Sequence, residues 1–238
     1  MRPPLHPAPL DFDRHQILSD AARARAAGRR QRAIELYRWV LAVEPRNAEV
    51  QLRLAPLLAE TGQSFDAWLA YRNAARAHLR AGYRDKALVV YKEAARLLPR
   101  EVRVWEGLSR LFVEDELAEQ AVEVLLEGSR QFRGRWDRAQ AIHLLRQARE
   151  LKPWGFEICL ELARQLSLAD QLREAELLLQ GLAVRVTGSR LRQVRSLQFL
   201  TRPGPRRLWR WLQACWDARD PVDDDPDPQG LPTPVSRS

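Results

Sequence analysis

Cysteine is nearly missing from this chain. Only Cys159 and Cys215 occur among 238 residues, neither in a Cys-x-x-Cys motif nor at ligand spacing from a histidine. A disulfide scaffold and a structural zinc site are therefore not expected. Lysine is almost as scarce: Lys86, Lys92 and Lys152 are the three lysines among 39 basic residues, so the positive charge is carried by arginine. No apolar run approaches the ~18 residues that a membrane-spanning helix needs, and the first residues lack the apolar core of a secretory signal. A cytoplasmic protein is expected. Catalytic signatures are missing as well. There is no glycine-rich phosphate loop, no Gly-x-Ser-x-Gly and no His-Glu-x-x-His. The four histidines, His6, His15, His78 and His143, stand apart from one another and from the cysteines, and His78, 54 residues before Phe132 on the same stripe, is expected to be packed in the core. Acidic clusters such as Glu114-Asp115-Glu116 have no base or nucleophile beside them. No catalytic residue, metal or cofactor is expected.

What is present is ordinary for a protein with a buried core, 45% hydrophobic and 29% charged residues, with a net charge of +8. The charge is uneven. Residues 190–219 hold eight arginines against Asp217, a local +7, whereas residues 220–238 hold five aspartates against Arg237, a local −4. This last segment has no periodicity and little apolar surface, so a disordered acidic tail is expected at 220–238, and a disordered start at 1–13.

Between these ends the chain repeats. Val43-Glu44-Pro45, Leu97-Leu98-Pro99 and Leu151-Lys152-Pro153 follow one another at intervals of 54 residues. Alanines recur at 33, 67, 87, 121, 141 and 175, with gaps that alternate between 34 and 20. Within each copy the apolar and small residues have helical spacing: Trp105, Leu108, Ser109 and Phe112, or Leu125, Gly128, Ser129 and Phe132, lie at i, i+3, i+4 and i+7. Prolines mark helix ends, and Gly62 and Gly82 sit between helical segments, where a left-handed cap suits glycine. Three helices per unit follow, at about 31–44, 48–61 and 65–81, then 85–98, 102–115 and 119–133, then 139–152, 156–168 and 173–187. Residues 14–27 form an incomplete lead-in.

Ala33-x-x-x-Tyr37 and Ala87-x-x-x-Tyr91, each followed by a proline and preceded by a helix with small residues in its stripe, resemble the tetratricopeptide repeat. That family has a 34-residue helix–turn–helix unit. The alternation of 34 with 20 fits if helices 65–81 and 119–133 each close one repeat and open the next. The resemblance covers about 14–187 and implies an all-α, right-handed solenoid of antiparallel helices, with 188–219 as basic C-terminal helices that cap it. It implies a non-enzymatic module that binds a protein or peptide. The sequence departs from the family at Glu116 and Gln171, at or near turns where glycine is preferred. Asp20 occupies a stripe position that is elsewhere small or apolar. Pro56 lies inside a helix that it should kink or split.

Candidate contact residues are the arginines off the apolar stripes: Arg72 and Arg76, Arg110, Arg130 and Arg133, and Arg164. Their planar forks suit the carboxylates of an acidic partner segment. The plain alternative is a solvated face of an arginine-rich protein. At the C-terminus, Thr201-Arg-Pro-Gly-Pro205 breaks the chain before a helix at 206–216. There Leu208, Trp211, Leu212 and Cys215 form an apolar stripe, flanked by Trp209 and Trp216 and opposed by Arg206, Arg207 and Arg210. Three readings stay open: a helix capping the last repeat, a basic tryptophan-rich helix on an anionic membrane surface, or, less favoured, a nucleic-acid contact.

Overall fold

A computed structural model describes residues 13–217. The expected disordered ends, 1–13 and 220–238, lie outside this range except for Asp13. Among the described residues all regular structure is helical, in twelve α-helices and no strand. They are α1 (Arg14–Ala26), α2 (Arg30–Val43), α3 (Ala48–Glu60), α4 (Ser64–Arg80), α5 (Arg84–Leu97) and α6 (Val102–Glu114). Then follow α7 (Ala118–Ser129), α8 (Arg138–Leu151), α9 (Phe156–Leu168), α10 (Leu172–Ala183), α11 (Gly188–Thr201) and α12 (Pro205–Asp217). The chain divides after Pro153 into two compact units, α1–α8 and α9–α12.

Two kinds of turn join the helices, and both follow from local chemistry. Before Pro45, Pro99 and Pro153 the helix stops, and the residue ahead of the proline leaves helical backbone, with ψ of 70° at Glu44, 54° at Leu98 and 85° at Lys152. The proline ring disfavours helical geometry at the residue before it. The second turn is a tight left-handed cap. The N–H of Arg29, Gln63, Tyr83, Leu117 and Gln171 donates to the carbonyl five residues back, at 2.8–2.9 Å. The residue between helix and bond has positive φ: Gly28, Gly62, Gly82, Glu116 and Asp170. At two of the five turns a side chain thus sits where glycine is the unstrained choice. At the later one the left-handed residue is Asp170 itself, one position before Gln171, because Gln171 supplies the closing N–H.

In the first unit each helix packs on its neighbours in sequence, and α4 packs on both α3 and α5, α7 on both α6 and α8. Second neighbours also touch at α3/α5, α4/α6 and α6/α8. Each helix hides one stripe: Ala33, Ile34, Tyr37 and Val40 on α2, and Trp68, Tyr71, Ala74 and Ala75 on α4. Bare glycines permit the closest approaches. A Cβ on Gly107 would meet Tyr91 Cε1 at 2.6 Å, and one on Gly128 would meet Trp105 Cγ at 2.6 Å.

Three expectations are corrected. Pro56 does not split its helix: α3 runs unbroken through it. His78 is only half-buried, whereas its counterpart Phe132 is 3% exposed. It stands in the last turn of α4, where its carbonyl caps the turn at Gly82. The helix expected at 119–133 ends at Ser129, because the chain tightens there, with Gln131 N–H on the Gly128 carbonyl and Phe132 N–H on that of Ser129.

In the second unit α9 and α10 pair through Ile158, Cys159, Leu162, Leu178 and Leu179, all buried. α11 packs on α10 and α12 on α11, with much less covered: Val194 alone is buried on α11 and Ala214 on α12.

Candidate functional site

The arginines of α4 and α6 form the most distinctive polar cluster of the first unit. Arg72 and Arg76 follow Trp68 at successive helical turns of α4, and Arg110 is one turn beyond Gly107 on α6. Trp68 and Tyr91 lie against the bare backbone of Gly107, their ring centroids 5.7 Å apart and tilted by 41°. Burial pushes the Tyr91 hydroxyl above its ordinary pKa, and the charges of Arg76, Arg110 and Arg72 pull it back down, while Glu114 raises it further. Three guanidiniums from two helices thus act on one buried phenol.

None of the three forms an ion pair among the described residues, although salt bridges are common elsewhere in this unit. Arg38 meets Asp66 at 2.9 Å, Arg84 meets Asp115 at 2.6 Å, and Arg30 meets Glu60 at 2.7 Å. Two donors on the same row of α4, Trp68 Nε1 and Arg72 Nε, are buried with no acceptor. A buried N–H without a partner is costly, by about 1–3 kcal/mol, so this row carries donor capacity that the fold itself does not use. Chemically, such a cluster can receive carboxylates; it contains no nucleophile paired with a base. Among the described residues no group of three His, Cys, Asp or Glu side chains could hold a metal ion.

The other expected contacts are distributed differently. Arg130 and Arg133 lie beyond the end of α7, and Arg133 Nε donates to the Arg130 carbonyl at 3.0 Å. Arg164 belongs to the second unit and meets Glu161 at 3.4 Å. Sequence reasoning read Tyr91 only as a repeat-motif residue and did not single out Trp68, so it missed both beside the arginines. It also missed the network on the neighbouring row, where Glu106 Oε1 is 2.7 Å from His143 Nε2 and accepts from Gln147 Nε2 at 3.4 Å.

At the C-terminus α12 has three faces. Inward, Trp211 Nε1 donates to Ser196 Oγ at 2.9 Å, and Arg207 donates to Glu176 at 2.8 Å and to the Gln198 carbonyl at 3.2 Å. Arg207, with Arg202 beside it, holds the Glu176 carboxyl below the usual carboxylate range. Arg207 is therefore used in docking the helix. Outward, Leu208, Trp209, Leu212 and Trp216 form an exposed apolar row, with Trp209 63% and Trp216 76% exposed. Arg206 and Arg210 occupy the exposed arc beside it. The expected stripe is thus divided: Trp211 and Cys215 turn inward with Ala214, and Leu208 and Leu212 join the two outer tryptophans. No helix among the described residues is long and apolar enough to cross a membrane.

No family model and no curated protein matches the chain. Solved structures do match. One is a putative kinesin light chain from Podosopora anserina with nearly identical tetratricopeptide-like repeats, at 20% identity over 84% of this chain and 100% of that one, with a TM-score of 0.35. Others are a tetratricopeptide repeat protein from Parabacteroides merdae, at 12% identity over 86% and 91% with a TM-score of 0.34, and a thermophilic one from Thermus thermophilus, at 20% over 86% and 89% with a TM-score of 0.33. The all-α repeat rests on this chain's own helix pairing, and the proteins it is similar to are of the tetratricopeptide kind.

Proposed function

We propose that this chain is a non-enzymatic binding scaffold whose repeats, over about 14–187, hold an acidic segment of a partner protein. The observation that carries the reading is the pair of buried donors without an acceptor on the α4 row, Trp68 Nε1 and Arg72 Nε, beside Arg76 and Arg110, whose charges with that of Arg72 act on the Tyr91 phenol. Arg30, Arg38 and Arg84 each meet an acid of another helix, whereas Arg72, Arg76 and Arg110 form no ion pair among the described residues and stay open to an outside acid. Bidentate guanidinium–carboxylate pairs give geometry as well as affinity. Arg130 and Arg133 serve as outlying contacts in this reading, and Arg164 is a separate candidate contact on the second unit.

A fluorescent 15-residue peptide of alternating Glu and Ala, titrated in the full chain, tests the proposal. Wild type should bind it, and Arg72→Glu with Arg76→Glu and Arg110→Glu should weaken binding at least about 10-fold. Equal binding by both proteins overturns the reading. A matching titration with duplex DNA addresses the nucleic-acid alternative, which demands a steep loss of affinity with salt.

A second reading concerns α12, where an apolar row that includes two tryptophans lies beside Arg206 and Arg210. It supports peripheral contact with an anionic membrane. Flotation with phosphatidylserine vesicles should carry the wild type and leave Trp209→Ala/Trp216→Ala behind; no flotation of either removes this reading. A cytoplasmic location fits both.

A further inference from the structure

The first unit has an open cleft of about 820 Å³ between α5 and α7. Its floor shows only the outer edges of Trp105, Leu108 and Phe112 of α6, which are otherwise buried, with Trp105 Nε1 tied to the Pro99 carbonyl at 2.9 Å. Its walls carry opposite charges. Lys92 and Arg96 stand one turn apart on α5, and Glu123 and Glu127 stand one turn apart on α7. All four are exposed, and none forms an ion pair among the described residues. Two cations thus look across an apolar trough at two anions without reaching them.

From this we infer a second docking surface, which takes an amphipathic helix of a partner protein. The helix lays an apolar ridge on Trp105, Leu108 and Phe112, turns an acidic flank to Lys92 and Arg96, and turns a basic flank to Glu123 and Glu127. Size and charge both select this occupant. A helix is about 10 Å wide and advances 5.4 Å per turn, so two turns fill a volume on the order of that of the cleft. The one-turn spacing within each wall meets flanking residues at i and i+4 on a helix lying along the trough. A partner flanked by one sign only would be repelled by one wall. The exposed face of α12 in a second copy is such a partner, with Arg206 and Arg210 but no acidic row.

The test uses three synthetic 14-residue helical peptides with one Leu ridge and different flanks: Glu on one side and Lys on the other, Glu on both, or Lys on both. Binding to the full chain is read by anisotropy. Location is read by broadening of the Ala95 and Val124 amide signals with a nitroxide-labelled peptide. Wild type should prefer the mixed peptide by at least about 10-fold. Lys92→Glu/Arg96→Glu should shift the preference to the all-Lys peptide, and Glu123→Lys/Glu127→Lys should shift it to the all-Glu peptide. A gained preference cannot come from a misfolded variant. The inference fails if flank charge makes no difference, if broadening falls outside the cleft, or if the preference does not follow the walls. It fails equally if sedimentation shows self-association of the wild type that the wall variants abolish, since a second copy would then be the occupant.

Discussion

The first unit and the terminal hairpin α11–α12 are both helical, yet they are held by different forces. From α2 to α8 every helix buries a stripe of several side chains, with Tyr37, Tyr71, Leu144 and Leu145 almost fully enclosed. α11 and α12 bury one residue each and depend on a few polar bonds, Trp211 to Ser196 and Arg207 to Glu176. Apolar burial is non-directional and grows with area, so it makes a stiff body. A few partly exposed hydrogen bonds make a contact that opens at low cost. An apolar row that stays exposed in such a region is available to a membrane or another protein.

The sharpest way to break this contrast is in the core. Leu145→Ala on α8, at a fully buried position, should cost about 2–5 kcal/mol in chemical denaturation, whereas Leu212→Ala on α12 should cost well under 1 kcal/mol because its side chain is already exposed. Next is Gly107→Ala, which forces a methyl into Tyr91 and Trp68. It should cost about 1–3 kcal/mol and weaken the acidic peptide, because the Tyr91 ring moves beneath Arg72, Arg76 and Arg110. Smaller and opposite in sign, Glu116→Gly should raise stability by about 1 kcal/mol, since the residue is held at φ 61° and glycine removes the left-handed penalty. The gain at Asp170→Gly should be less, because aspartate tolerates this conformation better.

The smallest global effect is expected at Glu176→Gln. It should move the melting temperature by less than about 2 °C while speeding amide exchange across 188–217 and leaving 30–151 unchanged. The pH dependence follows from the same pair. The Glu176 pKa is lowered in the fold from 4.5, so its contribution is present above pH 4.5 and is lost as pH falls through the depressed value. Exchange in α11–α12 should accelerate on acidification in the wild type and show less acceleration in Glu176→Gln.

The two regions also differ in how much the sequence revealed. In the repeats, most helix spans were legible to within a residue because spacing, proline and glycine act locally, but α7 and α10 end four residues before the expected 133 and 187. α9 begins and ends where the pattern placed it. Errors arose where a local signal competed with packing. The stripe through Leu125, Gly128, Ser129 and Phe132 reads as one continuous helix, yet Phe132 reaches the core after the chain has already left helical geometry. On α12 the stripe of Leu208, Trp211, Leu212 and Cys215 was visible, but not that α11 would cover only half of it.

Periodicity alone determined that this chain is a succession of helices with stops at the prolines that recur every 54 residues, because hydrogen bonding within a helix and the constraints of the proline ring act over a few residues. The meeting of Trp68 and Tyr91 at Gly107, which brings the charges of Arg72, Arg76 and Arg110 to bear on one phenol, and the facing of Lys92 and Arg96 by Glu123 and Glu127, were decided only in three dimensions. Each joins residues well apart in the chain, and their proximity depends on how helices pack rather than on what any one of them contains.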